Sequence, residues 1–115
     1  MYAPGQDMPY TLRETATGRG RVFLQEQLIC EAPYGIWIEE GVVDEPVIGG
    51  TQPVLEERRL RGSIWPSPAD LSVCLHAPTA LTLHLSDGRR LDFRVLDSLG
   101  RIADASGRGF YEEAP

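Results

Sequence analysis

The sequence predicts an all-β, mainly antiparallel fold: a small β-barrel or β-sandwich of about six to eight short strands, with at most one short helix near residues 68–76. Three features lead there. The run Thr79–Val95, TALTLHLSDGRRLDFRV, alternates apolar and polar residues on both sides of Asp87-Gly88, as a half-buried strand pair does. Turn-forming residues recur along the chain at roughly 8–12-residue spacing. Helix signals are sparse, with one good start at Ser67-Pro68-Ala69-Asp70.

Residues 1–9 hold two prolines and a glycine without periodicity and read as a loose N-terminal segment. Strand signals begin at Tyr10-Thr11-Leu12, and Gly18-Arg19-Gly20 punctuates like a turn. Arg21–Glu31, over which a short helix would lack caps at either end, reads as a strongly curved strand or one with a bulge near Gln25–Gln27. Its faces are both partly apolar, Val22, Leu24, Leu28 and Cys30 on one and Phe23 and Ile29 on the other. In the next strand Tyr34, Ile36 and Ile38 share a face, opposite Gly35, Trp37 and Glu39. Gly41–Pro53 is long for a connection. Val42-Val43 and Val47-Ile48 flank Asp44-Glu45-Pro46, which fits either a flap-like hairpin or an open loop. Val54–Trp65 resumes a strand, with Gly62 as a candidate bulge.

The helix start combines a serine N-cap, a proline at the first helical position and an aspartate in the positive end of the helix dipole. Pro78 limits any helix there to about two turns, and since Leu71, Val73 and Leu75 also alternate, the caps favour a short helix over a strand without deciding between them. In the following hairpin, opposed residues must point to one face, and a three-residue loop Ser86-Asp87-Gly88 achieves this. It sets Leu83 against Leu91, Leu81 against Phe93, His84 against Arg90 and Thr82 against Asp92, with Gly88 in the left-handed position. Gly100-Arg101-Ile102-Ala103 forms a last short strand, and residues 106–115 read as a C-terminal tail. The chain reads as a single domain over residues 1–115.

All 11 basic residues are arginine, and the chain has neither lysine nor asparagine, a bias that points to a GC-rich genome before it points to function. The formal net charge of −6 argues against sequence-independent nucleic-acid binding, which depends on neutralising phosphates. No stretch approaches the roughly 18 apolar residues of a membrane span, and the N-terminus lacks a signal peptide's apolar core. The expected address is therefore a bacterial cytoplasm, without membrane contact, where Cys30 and Cys74 are reduced and mostly buried.

Residues with chemical potential form no recognisable catalytic pattern. Cys30, Cys74, His76 and His84 are the available soft ligands for zinc, but no C-x-x-C or H-x-x-x-H pair occurs, so neither a metal nor another cofactor is expected. The serines lie outside any G-x-S-x-G elbow, and Gly49-Gly50 precedes no convincing helix. Adjacent acids such as Glu39-Glu40 and Glu56-Glu57 alternate sides on a strand. The run Glu57-Arg58-Arg59-Leu60-Arg61 puts Arg59 and Arg61 on one face, a fork geometry suited to phosphate or carboxylate. On a short barrel it is similar to the arginine stretch of PilZ domains, which bind a cyclic dinucleotide through R-x-x-x-R followed by [DN]-x-S-x-x-G. Here Asp70-Leu71-Ser72 is followed by Val73-Cys74-Leu75, so the motif's glycine is missing and the spacing is short, and the chain is not assigned to that family.

The expectation is a non-catalytic binding or assembly module acting through self-association, as a homo-oligomer, or through a protein partner. Trp37, Trp65 and the 41–53 segment with Val47 and Ile48 are the candidate apolar centre, and Arg59 and Arg61 are candidate rim contacts. The rivals are a small-ligand sensor, for a cyclic dinucleotide or another anion, and a structural component of a phage-like assembly.

Overall fold

Leu81, Leu83, Leu91 and Phe93 all turn to one side of the hairpin that the sequence marks, and a barrel closes around them. The structure, a computed structural model, describes residues 10–112; residues 1–9 and 113–115 lie outside it. Its elements are β1 (Tyr10–Leu24), β2 (Gln27–Val47), β3 (Gly50–Ile64), α1 (Pro68–Leu75), β4 (Leu81–His84), β5 (Arg90–Val95) and β6 (Arg101–Asp104). All strand pairings are antiparallel, and the six strands close in the order β1-β2-β3-β6-β5-β4.

The β4–β5 hairpin has the register that the three-residue loop requires. His84 opposes Arg90, Thr82 opposes Asp92, Leu83 opposes Leu91 and Leu81 opposes Phe93, with Gly88 at φ 93°. The polar face is used as well. Asp92 accepts hydrogen bonds from Thr82 Oγ1, Tyr111 Oη and Arg108 Nη2. Burial alone would raise the Asp92 pKa, and these donors outweigh it and hold the carboxyl below its ordinary range. The helix forms where the caps place it: Ser67 Oγ accepts from the Asp70 amide and donates to its carboxylate. Cys74 is its fully buried side chain, and Leu71 and Leu75 pack partly against the core.

Several sequence readings are corrected. Arg21–Glu31 is not one curved strand. It is a hairpin whose turn, Gln25-Glu26, lacks the usual turn residues because Gln25 itself takes φ 57°. The reversal leaves Leu28 half exposed rather than on the core face with Val22 and Cys30. Gly18-Arg19-Gly20 lies inside β1. A Cβ on Gly20 would stand 2.6 Å from the His84 carbonyl oxygen, so the glycine there serves the close approach of β4. Gly62 pairs regularly with Ile36 and Ile102. The bulge falls instead at Glu56, since Gly41 pairs with Glu57 and Val42 with Leu55. The 41–53 segment is a hairpin, but its turn is Ile48-Gly49, with Gly49 at φ 90°, and Asp44-Glu45-Pro46 is strand. From the expected tail, residues 106–112 run back along β5: Tyr111 bridges Arg90, and Phe110 packs against the core.

The barrel closes over a small part of its long strands. β4 pairs with β1 only from Arg21 to Leu24, and β6 pairs with β3 only at Gly62 and Ser63. Beyond those points β1, β2 and β3 continue as an open three-stranded blade. Past the Tyr10–Gly41 pair, among the described residues, β2 and β3 alone continue as a paired ribbon from Val42 to Leu55. At the ordinary rise per residue the ribbon extends about 20 Å. The radius of gyration is accordingly 17.1 Å, against about 13 Å for a compact chain of this length.

The inner face of the blade is covered by the β4–β5 turn and the C-terminal segment. Tyr34 Oη accepts from the Ser86 amide at 3.0 Å and lies 3.0 Å from Ser86 Oγ. Arg89 pairs with Asp87 and Glu14, and its guanidinium stands 4.5 Å over the Phe110 ring. Phe93, with 0% exposure at the barrel centre, has the most to lose by truncation. Phe93→Ala should cost about 3–5 kcal/mol in urea unfolding, and a loss under about 1 kcal/mol would contradict this account of the core.

Candidate functional site

Strand alternation sorts the blade into two chemically different faces. Ile36, Ile38 and Leu60 turn inward, and Arg58 ends that row in an ion pair with Glu40, which Arg13 also reaches. The outer face carries two cross-strand rows, Thr15–Trp37–Arg61 and Leu12–Glu39–Arg59. No element among the described residues covers these rows.

Glu39 organises this outer surface. Its Oε1 accepts from the Trp37 indole Nε1 at 3.1 Å, and its Oε2 from Arg59 Nη2 at 3.3 Å. The indole edge is thereby satisfied, and Trp37 keeps 36% exposure. Trp65 reaches the same side of β2. Its amide donates to the Pro33 carbonyl, and its ring lies over Gly35, where a Cβ would stand 3.1 Å from the indole. Beside Trp37 a groove of about 590 Å³ runs along the β3–β6 seam past Arg61, Ser63, Leu96 and Arg101. Leu96 is 60% exposed at its far side. Arg101 is paired with Asp97, whereas exposed Arg61 has no ion-pair partner among the described residues.

Of the six residues singled out by sequence, the structure brings Trp37, Trp65, Arg59 and Arg61 to one face of the blade. Val47 and Ile48 are elsewhere. They lie at the ribbon tip, roughly 30 Å further along β2 at the ordinary rise, and Ile48 is fully exposed. The expected single patch is thus two surfaces on one pair of strands. Leu12 and Leu96 complete the blade patch and carry no sequence signal, because each lies beside a boundary rather than inside an alternating run.

The remaining candidates are structural in their contacts. A second cavity, of about 150 Å³, is lined by Arg58, Arg59, Arg108, Glu14 and Asp104. Arg58 pairs there with Glu40, Arg59 with Glu39 and Arg108 with Asp92, while Asp104 accepts from the amides of Ser106, Gly107 and Gly109. Of the arginines that suggested an anion, Arg58 and Arg59 are engaged by the protein's own carboxylates and Arg61 does not line this cavity, while Asp70 and Ser72 belong to α1 rather than to this strand surface. Cys30 and Cys74 meet in the core as free thiols, but His76 is exposed and bound to the Ser72 carbonyl, and His84 packs 4.2 Å from the Phe23 ring. Among the described residues no three His, Cys, Asp or Glu side chains group as metal ligands, and no helix is long and apolar enough to cross a membrane. Compared with protein families, with curated proteins and with solved structures, the chain matches none.

The thiol pair has a pH signature. Burial raises the Cys74 pKa to about 12, with Cys30 beside it adding to the shift, and burial raises Cys30 as well. An unfolded thiol ionises near about 8.5, so above that pH the unfolded chain binds fewer protons than the native one. Stability from this source is complete below about pH 8.5 and falls toward about pH 12. The urea midpoint should therefore drop between about pH 8 and pH 10.5, and Cys74→Ala, though less stable at the outset, should drop less. Parallel declines would contradict the burial of that thiol.

Proposed function

We propose that this chain is a non-catalytic assembly module that docks a protein partner through the β2–β3 ribbon and the outer face of the blade. The observation that carries this reading is the ribbon itself: two strands that leave the barrel for about 20 Å and end on a fully exposed isoleucine. A two-stranded ribbon without further support is marginal in water and long open edges are pairing sites, and the described residues give neither strand a second neighbour there, so such an arm gains stability from a partner. The blade adds two exposed tryptophans and Arg61, without an ion-pair partner among the described residues, residue types enriched at the centres of protein interfaces. A small-ligand reading has less support, because the charged groups around the inner cavity are compensated within the chain.

The direct test is a photo-crosslinking residue at position 48 in the native host, with the same residue at half-exposed Leu28 as control. Crosslinks to protein from position 48 and not from position 28 are expected. Equal crosslinking from both, or none from position 48, would overturn the docking role. Ile48→Asp should abolish the partner contact while changing intrinsic stability by no more than about 0.5 kcal/mol, since the side chain is outside the core.

A further inference from the structure

Resting on that reading, we infer that the partner is a second copy of this chain, with the ribbon tip of each copy seated in the Trp37–Leu96 groove of the other. Charge is the first argument. From Val42 to Glu57 the chain carries Asp44, Glu45, Glu56 and Glu57 and no base. The remaining described residues, 10–41 and 58–112, hold 11 arginines against 11 acids. The excess negative charge of the described residues therefore lies on the ribbon and the two residues at its base, while the groove presents Arg61, which has no ion-pair partner among the described residues. An acidic arm and a basic-rimmed groove attract across an interface and not along one chain.

Apolar chemistry is the second argument. Val47 and Ile48 form an exposed apolar end, and Trp37 and Leu96 form exposed apolar walls. Geometry then excludes self-occupancy. Arm and groove belong to the same two strands, and the tip points away from the groove by roughly 30 Å. A copy turned about a two-fold axis near the base of the ribbon, by contrast, brings its tip to the first copy's Trp37 and receives the first copy's tip in return. Both contacts form at once, giving a closed dimer rather than an open chain.

Two variants separate the halves of the contact. Ile48→Asp spoils the tip and leaves the groove, and Arg61→Glu spoils the groove rim and leaves the tip. Circular dichroism and thermal melts confirm that each is folded. The wild-type chain should run at twice the chain mass in light scattering at about 100 μM, and each variant should dimerise at least about tenfold more weakly. An equimolar mixture of the two should form the mixed dimer in preference to either homodimer, because it contains one intact contact. Added salt should weaken the wild-type dimer. A wild-type chain that stays monomeric at that concentration, or a dimer indifferent to both substitutions, would overturn the proposal. If the purified chain is monomeric while position 48 crosslinks to a different protein in the host, the second-copy proposal falls and the docking role stands. If it is monomeric and position 48 crosslinks to nothing, both fall.

Discussion

Three strands of 15, 21 and 15 residues meet three of four to six, and the barrel can close only as far as the short ones reach. The outward edges of the long strands find partners over four residues of β1 and two of β3. This mismatch governs the rest of the molecule. Inside the closed part, Val22, Ile36, Ile64, Leu83 and Phe93 are fully buried. Outside it, the same alternation continues with one face only partly covered, and then, among the described residues, with no third strand. The blade follows from strand length once the closing strands are short.

Polar contacts keep that open sheet in place. Tyr34 and Ser86 tie the β4–β5 turn to the inner face, and Arg89 joins the turn to Glu14 of β1 and to the ring of Phe110. On the outer face Glu39 holds both the Trp37 edge and Arg59. Exposed ion pairs contribute little each, so their consequence here is chiefly orientation. They present the indole as a fixed apolar wall rather than a mobile side chain, which lowers the entropy lost when a partner covers it.

What was legible in the sequence follows from which residues decide locally. The β4–β5 register could be read because Asp87-Gly88 and the strict alternation on both sides admit one loop length. The helix could be read because Ser67, Pro68 and Asp70 are capping residues in their proper order. The Gln25-Glu26 turn could not, since a glutamine in the left-handed region leaves no compositional trace. Gly18 and Gly20 were misleading for the opposite reason, Gly20 serving the close approach of β4 and Gly18 leaving room for the Tyr34 and Ser86 side chains rather than making a turn. Asp44-Glu45-Pro46 looked like a turn because proline and acids disfavour central strands. A ribbon strand paired on one side tolerates them. For the candidate site, the side of the strand that Trp37 and Arg61 occupy was readable from alternation. Its separation from Val47 and Ile48 was not, because that depends on how far the β2–β3 pair runs before the Ile48-Gly49 turn.

The central claim is that the ribbon, which has no third strand among the described residues, acquires its support from a partner surface. Amide hydrogen exchange across a concentration series tests this directly. In dilute protein the amides of Val42–Leu55 should exchange far faster than those of β4 and β5, and raising the concentration through the association range should slow the ribbon amides selectively. Ribbon protection equal to that of the barrel at every concentration, or a ribbon that stays unprotected while the chain associates, would contradict the account.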